Sequence, residues 1–318
     1  ISAKKALTKY LSRNEIEGDV PDGNFIGSYR IKRAIKHAHK VSMILPFKDQ
    51  PAFLEKCVSS ILEKTDYPNY EIILVNNQSK EAATLEYLDN IRYSDKIRIL
   101  DYDQEFNFSA INNYAAEQAD GEYLLLLNND TEVMSSEWLS AMVEHGQREE
   151  VGAVGAKLLY PNNTIQHAGV VMGLGIASHA FKHLLLLDNG YFGLASVIRN
   201  YSAVTAACLL MRHKVYHELG GLDAENLKIA YSDVKLCLKA VERGYRVVYT
   251  PYAMLYHYES VSRGDDNDEA LKLSNPEKYY RVISERKYMA EKWKAYIDHD
   301  PFYNINLTRE RDDFGIRV

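Results

Sequence analysis

Short apolar runs alternate with amphipathic stretches through the first half of the chain. Val41-Ser-Met-Ile-Leu45, stopped by Pro46, predicts a buried strand, and Pro51 to Glu63 predicts a helix with proline in its first turn. Glu71 to Val75 predicts a second strand, Glu81 to Ile91 a helix, and Lys96 to Leu100 a third strand. Ser109 to Gln118 predicts a helix capped by Ser109 or Asn107, and Tyr123 to Leu127 a fourth strand. Strands and helices alternating at this spacing imply βαβ units, hence an α/β fold with a parallel sheet covered on both faces. The second half is less regular. Val151 to Leu159 and Ser202 to Met211 predict strands, Ser232 to Arg243 a helix, Arg246 to Tyr249 a strand, and Pro276 to Tyr296 a long helix.

Composition narrows the class of protein. The chain has 318 residues, 46% hydrophobic and 26% charged, as an ordinary globular protein does. A net charge of -6 speaks against a nucleic-acid partner. No apolar run approaches the roughly 18 residues of a membrane-spanning helix. The first ten residues, amphipathic and lysine-bearing, do not read as a signal peptide, and a start at Ile1 fits one piece of a longer chain. Cys57, Cys208 and Cys237 are odd in number and apolar in setting, which fits reduced thiols in a cytosolic protein.

Ligands of parallel sheets bind at the carboxyl ends of strands. Here three such ends carry amides and carboxylates: Pro46-Phe-Lys-Asp49, Asn76-Asn-Gln-Ser79 and Asn128-Asn-Asp130. One such loop reads as turn chemistry, but three at one edge read as a site for a hydrophilic ligand. A glycine-rich phosphate loop is missing, since Gly173-Leu-Gly175 lacks the third glycine and its βαβ setting. A bound diphosphate would then need a hard divalent cation, and Asp130 is the best-placed ligand for one.

Leu124-Leu-Leu-Leu-Asn-Asn-Asp-Thr-Glu132 resembles the DxD segment of family 2 glycosyltransferases, with Asn128 in place of the first aspartate. The first two strands are similar to that family's donor-binding strands. Phe106-Asn-Phe-Ser-Ala-Ile-Asn-Asn113, Gln166-His-Ala-Gly169, Ala203-Val-Thr-Ala-Ala-Cys208, His257-Tyr-Glu-Ser260 and Asp300-Pro-Phe-Tyr-Asn-Ile-Asn-Leu307 narrow the resemblance to a bacterial O-antigen or rhamnan-type subgroup, often found as modules of multidomain chains. These eight segments, in order, span nearly the whole chain.

The resemblance implies a GT-A fold, a mostly parallel Rossmann-like sheet flanked by helices. It also implies an N-terminal appendage (1–40), a transferase domain (41–262, with a nucleotide-sugar half at 41–130 and an acceptor half at 131–262) and a C-terminal helical extension (263–318). The implied activity is an inverting, EC 2.4 transfer of a sugar, rhamnose as first guess, from a dTDP- or UDP-linked donor. The acceptor would be a saccharide or lipid-linked saccharide of a growing surface polysaccharide. The implied location is cytoplasmic, at the inner membrane face, with peripheral membrane association. By position, Pro46, Asp49 and Asn76 would border the base, Asn128 and Asn129 the ribose and diphosphate, and Asn107 the donor sugar. Asp130 and His257 would hold Mn2+ or Mg2+, and Asp233 would be the general base, with Ser232 where the family has glutamate and Lys235 at an acidic position.

Other readings of these residues stay open. Asp233 also fits a plain helix cap, and His257 a satisfied core histidine. Trp138, His167 and His179 are acceptor-side candidates, equally suited to packing, as are Tyr252, Tyr256 and Tyr258. Phe106 and Phe108 read as core. An inactive GT-A module that binds sugar or scaffolds an assembly is the alternative, motivated by Asn128 and Lys235. A nucleotidyltransferase lacks its glycine-rich loop here, and a glycoside hydrolase would leave the strand-end amides unexplained.

Overall fold

The computed structural model describes residues 2–259 and 271–317. Ser260 and the 262/263 boundary lie outside them. Helix α1 (Ser2–Arg13) and a two-residue ladder, β1 (Gly18–Asp19) on β2 (Lys32–Arg33), precede the sheet. The alternating half then runs β3 (Val41–Phe47), α2 (Pro51–Lys64), β4 (Tyr70–Asn76), α3 (Ala82–Ile91), β5 (Ile97–Asp101), α4 (Phe108–Ala116) and β6 (Tyr123–Leu127). The second half begins with β7 (Thr131–Val133), α5 (Trp138–Gly146), β8 (Val151–Leu159), β9 (Ile165–His167) and the hairpin of β10 (Val170–Met172) and β11 (Ala177–His179). It continues with β12 (Arg199–Asn200), β13 (Cys208–Arg212), α6 (His213–Glu218), α7 (Ser232–Glu242) and β14 (Arg246–His257). After the undescribed segment come α8 (Leu271–Ser274), α9 (Pro276–Lys292) and α10 (Lys294–Asp298).

The main sheet has the order β12-β14-β8-β13-β6-β3-β4-β5, with β7 on β14 and β9 on β8. Strands β6, β3, β4 and β5 are mutually parallel, β8 and β14 are parallel, and β13 joins the two groups antiparallel to both neighbours. Both faces are covered. In β6, Leu124 and Leu126 enter one apolar core, while Tyr123, Leu125 and Leu127 enter the other. That two-sided burial is why β6 is a continuous apolar run. Each such leucine contributes about 1.5–3 kcal/mol.

The parallel half follows its sequence pattern within a residue or two, and the departures lie in the second half. Strand β13 is shorter than predicted, because residues 203–207 form a loop before it. Strand β14 runs on to His257, past Pro251, through a register shift between Thr250 and Met254, where a proline's missing N–H is tolerated. Helix α9 stops at Lys292, and Trp293 at φ -115° breaks it from α10.

The N-terminal residues are bound into this body. Arg30, 7% exposed, pairs with Glu144 of α5 at 2.7 Å and lies 4.2 Å over the Tyr252 ring. The Arg33 N–H donates to the same Glu144 carboxylate at 3.1 Å. No helix among the described residues is long and apolar enough to cross a membrane.

Candidate active site

The apolar run of β6 ends at Leu127, and Asn128-Asn-Asp130 turns the chain into β7, with the Thr131 hydroxyl donating to the Asn128 carbonyl at 2.9 Å. Strand β7 pairs antiparallel with the far end of β14, Thr131 opposite His257. The Tyr258 N–H donates to the Asp130 carbonyl at 2.9 Å. This ladder brings together two residues 127 positions apart: His257 Nε2 lies 3.2 Å from Asp130 Oδ1 and 3.1 Å from Asn128 Nδ2. Asn128, Asn129 and Asp130 are all half-buried, open enough for a ligand to reach.

A carboxylate and an imidazole side by side suit a hard divalent cation. Ligand bonds of about 2.1 Å give an octahedral edge of about 3.0 Å, close to the observed 3.2 Å. Among the described residues no cluster of three or more His, Cys, Asp or Glu could hold a metal. A pair of this kind would leave the other positions of a bound ion to phosphate oxygens and water. Cys57 lies just below, 3.5 Å from the Thr131 hydroxyl. Burial pushes its thiol up to about 12, so it is neither nucleophile nor thiolate ligand.

Asp233 stands in the first turn of α7, but it does not cap that helix. The cap position is Tyr231, in left-handed conformation at φ 60° and without a side-chain cap. The carboxylate of Asp233 accepts from its neighbour Val234 N at 2.8 Å and, across a gap in sequence, from Ala206 N at 2.9 Å. One residue on, the Ala207 carbonyl accepts from Asn128 N at 3.2 Å. Two residues of one loop thus connect Asp233 to Asn128 at the end of β6.

The histidines of the Gln166-His-Ala-Gly169 segment and the neighbouring β11 differ in exposure. His179 is half-buried, its Nδ1 3.0 Å from the Gln166 carbonyl. Burial lowers its pKa, while that hydrogen bond and the nearby charges of Asp233 and Glu259 act in the opposite direction. His167 has no exposed surface and sits edge-on behind His179 at 4.8 Å. Burial, then His179 and His257, hold it well below the usual histidine range, so it stays neutral. The expectation that His167 lines an acceptor pocket is corrected: it packs one layer beneath the surface.

One further expectation is corrected. Trp138 is fully buried, its Nε1 donating to the Thr65 hydroxyl at 3.0 Å, so it cannot touch an acceptor sugar. Asn107 is the cap of α4: its Oδ1 accepts from Ala110 N at 3.0 Å and its Nδ2 donates to the Ala224 carbonyl at 2.9 Å. One bond at each end of the amide ties the start of α4 to the loop at Ala224. Of the phenylalanines flanking Asn107, Phe108 packs on the core as expected, but Phe106 is 48% exposed.

At the first two strand ends the polar residues fasten the loops to one another. Pro46 is buried within β3. Asp49, at φ 54°, accepts from Lys80 N at 2.7 Å and Glu81 N at 2.8 Å. Asn76 donates to Asp101 at 3.0 Å and accepts from Ser79 N at 3.0 Å. These bonds shape a rim at the carboxyl edge where a base could lie.

Several supporting residues carry no signal in the sequence. Glu285, on α9 and 2% exposed, accepts from Ile229 N at 3.0 Å and Ala230 N at 3.2 Å, fixing the loop that leads into Asp233. Lys235 is paired with Asp223 and donates to the Tyr288 hydroxyl at 2.6 Å, so it is a brace between α7, the preceding loop and α9. Gln166, by contrast, was within reach of sequence reasoning, since it opens one of the segments that carry the family resemblance.

Comparison with known proteins places this geometry. The model of "Glycosyl transferase family 2" matches residues 42–220. Over 98% of its length the chain is 44% identical to the uncharacterized protein y4gI of Sinorhizobium fredii and 39% identical to the O-antigen biosynthesis protein RfbC of Myxococcus xanthus. It spans only 34% and 24% of those two proteins. Among solved structures it is similar to GalNAc-T7 with UDP, GalNAc and Mn2+, at a TM-score of 0.62 and 16% identity, over 82% of this chain and 50% of that one. That likeness is one of fold, the GT-A fold.

Proposed function

The chain belongs to glycosyl transferase family 2, and from that premise we propose that it moves a sugar from a nucleoside diphosphate to a saccharide hydroxyl by one inverting displacement. The observation that carries this reading is the main-chain link from Asp233 through Ala206 and Ala207 to Asn128, beside the Asp130–His257 pair. A two-ligand cation site at Asp130 and His257 and a separate carboxylate at Asp233 are tied together through Ala206 and Ala207.

Asp233 is the proposed base. It would take the proton from the acceptor hydroxyl as that oxygen bonds to the anomeric carbon, which requires a carboxylate within hydrogen-bond reach. Asp130 and His257 are the proposed ligands of a divalent cation, Mn2+ or Mg2+, which when bound offsets charge on the departing diphosphate. Asn128 and Asn129 lie beside that position to meet the ribose or the phosphates. The rim of Pro46, Asp49 and Asn76 would border the base, and His179 would face the acceptor. No covalent intermediate is needed, which fits the absence of an activated nucleophile among the groups named.

The likeness to RfbC supports a polysaccharide of the O-antigen type as acceptor, built on the cytoplasmic side where nucleotide sugars are made, with this chain as one module. A dTDP- or UDP-linked donor, rhamnose among the first to try, is part of the same proposal. The test is release of nucleoside diphosphate from a panel of nucleotide sugars, with Mn2+ and with chelator. Metal-dependent release from one donor is the expected result. A folded protein that neither binds nor turns over any donor with metal would establish the inactive, scaffolding module instead.

A further inference from the structure

Within Gln166-His-Ala-Gly169, the glutamine has no part in the proposed transfer, yet it is the buried partner of His257. Gln166 is 1% exposed. Its Nε2 lies 3.2 Å from Glu259 Oε2 and 3.3 Å from the His257 carbonyl oxygen, and both of those groups can only accept. Turning the amide over would set oxygen against two oxygens, so chemistry fixes its orientation. The amide Oε1 then faces His257 Nδ1, at 2.5 Å, and must accept from it. The ring proton of His257 is thereby held on Nδ1.

In the neutral imidazole the other ring nitrogen then carries no proton. With Nδ1 protonated, Nε2 presents its lone pair to the cleft, where it accepts from Asn128 Nδ2 at 3.1 Å and stands 3.2 Å from Asp130 Oδ1. Two acceptors that close, with no proton between them, repel one another, and a cation placed against both turns repulsion into ligation. We propose that Gln166 is a positioning residue for the cation site: it holds the His257 proton on the far side of the ring, so that Nε2 and the Asp130 carboxylate act together as a two-point ligand. This rests on the reading of Asp130 and His257 as metal ligands. Partners of this kind, one bond removed from a metal, typically change metal affinity about 10–100-fold when lost.

The test has two arms. Long-range 1H–15N NMR of the imidazole rings of the metal-free wild-type protein at pH 8 reads the tautomer of His257 directly, with His257→Ala for assignment. A proton on Nδ1 alone is the expected result, and a proton on Nε2 overturns the proposal. Mn2+ titration followed by electron paramagnetic resonance, with UDP as the diphosphate probe, compares wild type with Gln166→Met. The variant should bind Mn2+ about 10–100-fold more weakly while its metal-free affinity for UDP is unchanged. A folded Gln166→Met with wild-type Mn2+ affinity overturns the positioning role and leaves the metal reading standing. A wild-type protein that binds no Mn2+ even with UDP overturns both. Where the variant does not fold, the wild-type tautomer alone decides.

Discussion

Two stretches of one sheet edge treat their polar residues in opposite ways. At the ends of β3 and β4, Asp49 and Asn76 spend their hydrogen-bonding groups on neighbouring backbone and on Asp101. At the ends of β6 and β14, Asp130 and His257 turn acceptor atoms toward one another across 3.2 Å. The first stretch is satisfied from within and fixes loop shape. The second, on the proposed reading, is completed by a bound ion.

Substitutions on either side can break this contrast. The largest effect is expected at Asp233. Asp233→Asn keeps an acceptor for Ala206 N but removes the base, so turnover should fall about 10²–10⁴-fold with donor affinity near wild type in steady-state and binding assays. Loss of folding instead would assign Asp233 to structure alone. Next comes a paired comparison of Asp130→Ala and Asp49→Ala. Calorimetric titration should show Asp130→Ala losing Mn2+-dependent donor binding by about tenfold or more, while urea unfolding places its stability within about 0.5 kcal/mol of wild type. Asp49→Ala removes the shared acceptor of two exposed backbone N–H groups and should lose about 0.5–1.5 kcal/mol in the same unfolding experiment. If the two variants behave alike, the distinction between the two stretches fails. The smallest effect is expected from Trp138→Phe, which gives up one buried hydrogen bond worth about 1 kcal/mol and should leave the acceptor KM unchanged. A raised KM would return Trp138 to the acceptor site.

The same division decides what the sequence revealed. Strands β3, β4 and β6 are buried on both faces, so each is largely an apolar run, and their ends were legible along with Asp49, Asn76 and Asp130. The second half is built by long-range pairing. Residues 203–207 look like strand from their composition, but Asp233 and Asn128 claim their backbone groups and they form a loop. Past Pro251 no local pattern extends β14, yet β7 and β8 supply partners that carry it to His257. Trp138 misled for a related reason. A tryptophan near a loop carries no sign of whether its polar atom is already engaged. The family resemblance named His257 and Asp233; only folded geometry shows Gln166 holding one and Glu285 bracing the approach to the other.

The link from Asp233 through Ala206 and Ala207 to Asn128 is made of main chain on the loop side, in a stretch of small residues. The separation between the proposed base and the proposed cation is therefore a property of backbone geometry, insensitive to which side chains line the cleft. Relatives could change the base they read or the sugar they accept by altering the rim and the half-buried histidine, with the spacing on which the displacement depends carried along untouched. Lengthening this loop by even one residue would be a different matter, since it would displace the N–H that Asp233 accepts and the carbonyl that accepts from Asn128 N.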